Sequence, residues 1–479
     1  MGIVLIELVA AISLIASVFI QSLHIFYVSG YGLYRPYGFS SNSSRIGGYD
    51  VEYVTIAIPI KNEDPEVLRG TLDVCTKINW DAKRFEIIVV SDDPPDRRTK
   101  IQEIADHYIS MGYSVRIIYR DNPQDGRVGA LNLAVREAKG DIILFLDVDT
   151  RPSSGVIRRA VELINMGCDA VVFRWRGYYY YETRLAKALS TAMEFIVSAL
   201  YRGRSGYGFH IVPLGSGTVY RKSLIEEIGL WDNNIVQDDY WMGIKLSRLG
   251  ANICYCDDEH VDVMTTSTYR AFKIQQTRWS FGAIQAIRRG MGIIIRSKIH
   301  AIKKLELVIY GLQYTPTIMI AISSYLYPLL LPLHSGGDPL LSIIGIFIAW
   351  IIVSATYIVV YAIITSRRQG ISALEAIKRL GTSSAATASL ALHIAINQVR
   401  ALFRDRYSYM ITPKGSRENS GASLGLSEAP EIAAIIAILI GIAISIIKGY
   451  ELTLLWLMIL IAPYMYTIGI ILIDGKTSH

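Results

Sequence analysis

The sequence predicts two joined parts: an α/β domain with a mostly parallel sheet, and an α-helical membrane part of about five spans with interfacial helices beside it. Three observations carry this. Hydrophobic residues make up 51% of the 479 and charged residues only 19%, against about 25% charged in an ordinary soluble chain, and mean hydropathy is +0.32. Apolar stretches long enough to cross a bilayer recur along the chain. Between them, from about residue 53 to 252, short Val/Ile runs alternate with helix-length segments, the pattern of βα units. A chain of this length has room for two or three cores at roughly 150 residues each, which excludes a single small module.

The membrane elements come first. A spanning helix needs about 20 mostly apolar residues, because hydrocarbon holds no water to satisfy the backbone. Residues 3–28 form one such stretch, longer than a signal h-region and without a small-residue cleavage pattern, so it is expected to stay as an anchor. Residues 307–333 and 340–365 read as a hairpin around a loop without Lys or Arg, and residues 432–447 and 452–473 as a second, tighter hairpin. Between the hairpins stand Arg367, Arg368, Lys378, Arg379, Arg400, Arg404, Arg406, Lys414 and Arg417, a clustering that marks the cytoplasmic side. Residues 385–403 are read as an interfacial amphipathic helix and not as a sixth span. Five spans then put the amino terminus outside, and the α/β domain and carboxyl terminus inside, in a multi-pass protein of the plasma membrane. The expected divisions are 1–30, 50–268, 269–300, 305–366, 367–428 and 429–474.

Within the α/β domain, residues 54–60, 86–90, 115–119, 141–146 and 170–173 are expected as strands. Ligands of open α/β sheets bind beyond the carboxyl ends of the strands. The first strand ends in Lys61-Asn62-Glu63-Asp64-Pro65 without GxGxxG, which argues against a dehydrogenase. The net charge of +6 is too mild and too spread out for a nucleic-acid surface. Arg174-Trp175-Arg176 with Tyr178 to Tyr181 mixes basic and aromatic residues, which here suits sugar stacking or plain packing better. The four cysteines, Cys75, Cys168, Cys254 and Cys256, show no CxxC spacing and are expected as reduced thiols.

Four stations carry the chemistry. Leu146-Asp147-Val148-Asp149-Thr150 follows an apolar strand, and on an extended strand Asp147 and Asp149 would point the same way. Two hard oxygen ligands there suit Mg²⁺ or Mn²⁺ together with a diphosphate. Asp92 and Asp93 end the second strand, where a carboxylate reaches a base or ribose and where an ordinary turn is the plain alternative. Gln237-Asp238-Asp239-Tyr240 opens a helix ending near Gly250; the pair either favours the helix amino end or includes a general base, Asp239. Finally, residues 269–289 read as an amphipathic helix on which Gln275, Arg278 and Trp279 share one face, offering an amide, a phosphate clamp and a stacking surface.

Taken together these residues resemble a membrane glycosyltransferase of family 2, of the cellulose synthase-like type, whose pattern is an aspartate, DxD, an ED pair and QxxRW in that order. Ile58-Pro59-Ile60-Lys61-Asn62-Glu63 resembles the family's opening strand, Arg127-Val-Gly-Ala-Leu-Asn132 its KAGxLN segment, and Tyr409-Met-Ile-Thr412-Pro-Lys414-Gly415 the FxVTxKG gating loop. The resemblance spans residues 54–415 and implies a GT-A type nucleotide-sugar-binding domain. It implies a cation held by Asp147 and Asp149, and Asp239 as base. It also implies donor or acceptor contacts from Pro59, Glu63, Asp92, Arg127, Asp147, Asp238, Gln275, Arg278, Trp279, Thr412 and Lys414. Asp238 stands where the family has Glu, Arg127 where it has Lys, and Ser91 where the first of two aspartates commonly falls, so the nucleoside contact stays open between Asp92 and Asp93.

The implied reaction is inverting transfer of a hexose from a UDP- or GDP-linked donor, with Mg²⁺ or Mn²⁺, to a lipid-linked acceptor of the polyprenyl type, for glycan or glycoconjugate synthesis. The partners are then the donor, the lipid acceptor and membrane lipids, with no nucleic acid. A processive polysaccharide synthase extruding its product is the alternative. A non-catalytic sugar-nucleotide sensor or a transporter is an alternative of another class, and the latter lacks the inverted repeats and mid-span charges transport favours.

Overall fold

The computed structural model describes residues 2–35, 51–407 and 425–474, with 412, 413, 415 and 418 between the last two. Strands are β1 (Val54–Ile60), β2 (Phe85–Ser91), β3 (Val115–Tyr119), β4 (Ile142–Phe145), β5 (Thr150–Pro152), β6 (Ala170–Tyr178), β7 (Thr218–Arg221) and β8 (Ile253–Met264). Helices before the last strand are α1 (Gly2–Ser29), α2 (Pro65–Cys75), α3 (Pro95–Ser110), α4 (Gly126–Glu137), α5 (Val156–Asn165), α6 (Arg184–Glu194), α7 (Tyr201–Gly206), α8 (Lys222–Glu227) and α9 (Asp238–Leu249). After it come α10 (Tyr269–Arg296), α11 (Ala301–Gly311), α12 (Pro316–Leu330), α13 (Ile344–Gln369), α14 (Ala373–Ser389), α15 (Ala391–Phe403), α16 (Ala429–Lys448) and α17 (Glu451–Asp474).

The eight strands form one sheet in the order β3-β2-β1-β4-β7-β6-β8-β5. Side-chain alternation along buried strands feeds two cores. Ile56, Ile58, Ile87, Val89 and Leu144 pack on one face under α2, α3 and α5, while Ala57, Ile88, Val90, Ile143 and Phe145 pack on the other against α4 and α9. The β3-β2-β1-β4 half is parallel. The other half is mixed, with β7 antiparallel to both neighbours and β5 antiparallel to β8. This narrows the sequence expectation of a mostly parallel sheet. Four residues between Gly217 and the helix that starts at Lys222 leave no period to read, which is why β7 escapes a pattern search.

Among the described residues five helical stretches are long and apolar enough to span a membrane: Leu5–Leu33, Ala301–Leu333, Leu341–Gln369, Leu426–Lys448 and Glu451–Ile473. The second is interrupted before Pro316, which lacks an amide hydrogen and disfavours helix in the residue before it. Residues 385–403 fall on α14 and α15, which meet at Leu390. Helices α1 and α13 are laced by Trp350 Nε1 donating to Ser17 Oγ at 3.1 Å, Ser354 Oγ to Gln21 Oε1 at 2.9 Å, and His24 Nδ1 facing the Tyr357 hydroxyl at 3.4 Å. Both numberings ascend together, so the two helices run parallel, as the first and third spans of a five-span chain must.

One expectation is overturned. Cys168 and Cys254 form a disulfide with Cα atoms 5.9 Å apart. Ala170 and Ile253 are parallel partners on β6 and β8, so the two cysteines are neighbours in the sheet across 86 residues of sequence, a proximity no local spacing reveals. Cys75 and Cys256 are free and buried.

Candidate active site

The strands of the parallel half end at one cleft. Beyond β1 lie Lys61 and Glu63, beyond β2 Asp92, and beyond β4 Asp147 and Asp149; all line a cavity of about 1280 Å³. Helix α9 brings Asp238 and Asp239 to it, and α10 brings Gln275, Arg278 and Trp279. Pro59, Arg127 and Thr412 complete the candidate residues on its wall. Lys414 lies outside the described residues.

The DxD segment is held by its backbone. It occupies the turn between β4 and β5 instead of a strand end, so its side chains are aimed by turn contacts and not by strand alternation. The Asp147 amide donates to Ser216 Oγ at 2.8 Å, Ser216 Oγ donates to Thr150 Oγ1 at 2.8 Å, and the Tyr178 hydroxyl donates to the Asp149 carbonyl at 2.6 Å. Trp175 Nε1 donates to the Ser216 carbonyl at 2.8 Å, so the basic-aromatic segment buttresses the site, with Trp175 on the cavity wall.

At the second strand the two aspartates separate. Asp93 is 1% exposed, accepts from the Asn62 amide at 2.8 Å and Ser91 Oγ at 2.9 Å, and serves the turn. Asp92 lines the cleft and receives Arg120 through Nε and Nη2, each at 2.6 Å, a bidentate fork. Nothing in the sequence around Arg120 singled it out, although it directly follows the third strand.

Asp239 is the most perturbed acid of the cleft. Burial, and then the negative charge of Asp238, push its carboxyl up to about 7, against the opposing pull of the Tyr240 amide, Arg127 and the Gly215 amide. Helix α10 is set against this acid pair by Gln285, fully buried. Its Oε1 accepts from the Val236 amide at 2.9 Å, and its Nε2 donates to the carbonyls of Asn234 and Asp405 at 2.9 and 2.7 Å. A lone amide on a buried helix face was the signal available for it.

The donor set also bears on a cation. Among the described residues no three His, Cys, Asp or Glu side chains gather as a ready-made metal centre. The carboxylates of Asp147 and Asp149 are hard oxygen donors of the kind that suit Mg²⁺ or Mn²⁺.

Acids of three sheet strands and one helix, gathered at a cleft that adjoins membrane helices, define a class: a membrane-embedded glycosyltransferase with a GT-A-like mixed sheet. The family model Glycosyl transferase family 2 matches residues 55–229. A protein of Sulfolobus acidocaldarius described as a probable glycosyltransferase is 32% identical over 429 residues, covering 89% of this chain and 91% of its own. The chain belongs to glycosyltransferase family 2, and it is an enzyme of that class. Glucomannan 4-beta-mannosyltransferase 2 of Arabidopsis thaliana is 25% identical over 289 residues, 58% of this chain and 53% of its own; the chain spans about half the length of that plant relative. The solved structure of the mannosyltransferase PcManGT from Pyrobaculum calidifontis, in complex with GDP-Man and Mn²⁺, has a TM-score of 0.53 at 16% identity over 83% of this chain and 99% of its own, a likeness of fold.

Proposed function

We propose that this enzyme transfers a hexose, mannose foremost, with inversion from a nucleotide sugar to a lipid-linked acceptor of the polyprenyl type, for glycan or glycoconjugate synthesis. The observation that carries it is the continuity of one cavity. The acids of the cleft share it with Tyr310 and Gln313, and with Ser17 and His24 of α1, Tyr357 of α13 and Thr387 of α14. An acceptor reaching from the membrane would arrive beside Asp239. The mannose preference is supported by the names of the plant relatives and by the GDP-Man complex of PcManGT.

In this reading Asp239 takes the proton of the acceptor hydroxyl, which then attacks the anomeric carbon as the nucleoside diphosphate leaves. A base poised near neutrality suits that role. Arg278 and Trp279 flank the diphosphate and acceptor, Glu63 and Asp92 the nucleoside, and Pro59, Gln275, Thr412 and Lys414 complete the binding set. Asp147 and Asp149 would hold Mg²⁺ or Mn²⁺, which when bound neutralises charge on the leaving diphosphate. The arginines and lysines around α13, α14 and α15 support a cytosol-facing catalytic part, residues 50–268, at the plasma membrane.

A processive synthase is the second reading, and one observation favours it. The membrane-side arm of the cavity carries neutral polar groups, Ser17, Gln21, Thr317, Ser383 and Thr387, among apolar residues such as Ile20, Ile320 and Leu380, and those polar groups suit a sugar chain. Nucleotide release from purified protein, given GDP-mannose or UDP-hexoses with and without membrane lipid extract, followed by mass analysis of the lipid, tests both. A hexosylated polyprenyl lipid is the expected product. A long glycan formed without lipid would replace the first reading by the second, and no release with any donor would reject both.

A further inference from the structure

Arg127 stands in the first turn of α4, directly after Asp125 (φ 62°) and Gly126 (φ 51°), and its side chain lies on the cleft wall. Its Nε donates to Asp147 Oδ1 at 3.0 Å, and its Nη2 stands 2.9 Å from the same oxygen. Nη1 donates to Asp238 Oδ2, and Nη2 also to the Gly215 carbonyl. The planar fork therefore joins the first carboxylate of DxD to the first carboxylate of α9. A cation ligated through Asp147 Oδ1 would share that oxygen with the guanidinium.

A guanidinium and a divalent ion repel one another when they share one carboxylate oxygen. The charge of Arg127 offsets that of the acids around it. A nucleoside diphosphate changes this balance, because its oxygens are alternative bidentate partners for the guanidinium. We propose that Arg127 is a resident counter-ion that keeps Asp147 from the divalent cation until the donor diphosphate draws it away, so that cation binding depends on donor binding. The inference rests on the donor and metal roles given above. Arg127 acts here as a positioning residue through Asp147. Asp238 and the Gly215 carbonyl keep the arginine in reach of both arrangements.

The test is a Mn²⁺ titration of the purified full-length protein, with free Mn²⁺ read by electron paramagnetic resonance. It is run with Mn²⁺ alone, then with saturating GDP or UDP. The wild-type protein is expected to bind Mn²⁺ at least about tenfold more tightly with the matching nucleotide than without it. Arg127→Gln is expected to bind nucleotide-free Mn²⁺ at least about tenfold more tightly than wild type, a gain that a damaged fold does not produce. Arg127→Lys, which keeps charge but loses the fork, should fall between them. Because a diphosphate itself ligates Mn²⁺ and tightens its binding in every variant, the nucleotide-free comparison of Arg127→Lys with wild type decides the matter where the Gln variant does not fold. Wild-type affinity for Mn²⁺ that is equal with and without nucleotide, or unchanged by either substitution, overturns the proposal and leaves the metal role standing. Nucleotide binding with no Mn²⁺ binding in any state overturns the metal role and the proposal together.

Discussion

Two adjacent aspartates, Asp238 and Asp239, part company within one helical turn. Asp238 gives its carboxylate to Arg127, while Asp239, half-buried beside that charge, is pushed up to about 7. A base must be unprotonated to act, so in the free enzyme kcat/KM should rise with pH through about 7 and level off above it. Asp238→Asn removes the second largest cause of the elevation, and the rising limb should move to lower pH; a limb that stays in place would separate Asp239 from the proton transfer. Asp239→Asn should lower kcat by about 10²–10⁴-fold while the donor dissociation constant, measured by calorimetry, stays within about threefold. A variant turning over like wild type would remove Asp239 from the reaction.

At the scale of elements, what decides the site is how closely α10 approaches the segment leading into α9. A Cβ at Gly282 would stand 2.6 Å from Gln237 Cβ and 2.8 Å from its backbone nitrogen, closer than packed atoms tolerate. Gly282→Ala should therefore displace α10 from the acid pair, lowering kcat about tenfold. Overpacking of about 1–3 kcal/mol should outweigh the gain of about 1 kcal/mol in helix propensity, and the melting temperature should fall. The disulfide ties β6 to β8 across the segment holding β7 and α9. For a closed loop of this length the chain-entropy model gives about 4 kcal/mol, so Cys168→Ser, or reductant on the wild type, should lower the melting temperature clearly, and an unchanged transition would mean the two thiols are not joined in solution. The contrast between these elements explains what was legible in the sequence. DxD, Asp238-Asp239 and Gln275, Arg278 and Trp279 each adjoin a strand or helix whose period is readable, so their gathering at one cleft could be read from the sequence. The disulfide, β7 and the grip of Arg127 on Asp147 and Asp238 depend on contacts between distant segments, and no local period encodes them.

Across the whole molecule, the catalytic sheet and the membrane helices are fastened by buried charge. Asp257 on β8 receives Arg368 of α13 through Nη1 and Nη2 at 3.0 and 2.7 Å, and Arg202 of α7 at 2.6 Å. Arg204, fully buried, pairs with Glu306 of α11 at 2.7 Å, and Tyr27 of α1 donates to that same glutamate at 2.9 Å. Breaking such pairs costs about 3–5 kcal/mol because a charge is left buried alone, so these contacts hold the cleft against the membrane part. The arm beyond Tyr310 can be tested by filling it. Ser17 of α1 lines the arm and accepts from Trp350 and Gln21. Ser17→Trp should occupy the arm, cut acceptor-dependent nucleotide release more than tenfold, and leave donor affinity by calorimetry within about twofold. If acceptor-dependent release persists, the acceptor reaches Asp239 by another route; if donor affinity falls in step, the arm is not separate from the donor site, and the path from membrane to base would have to be drawn elsewhere.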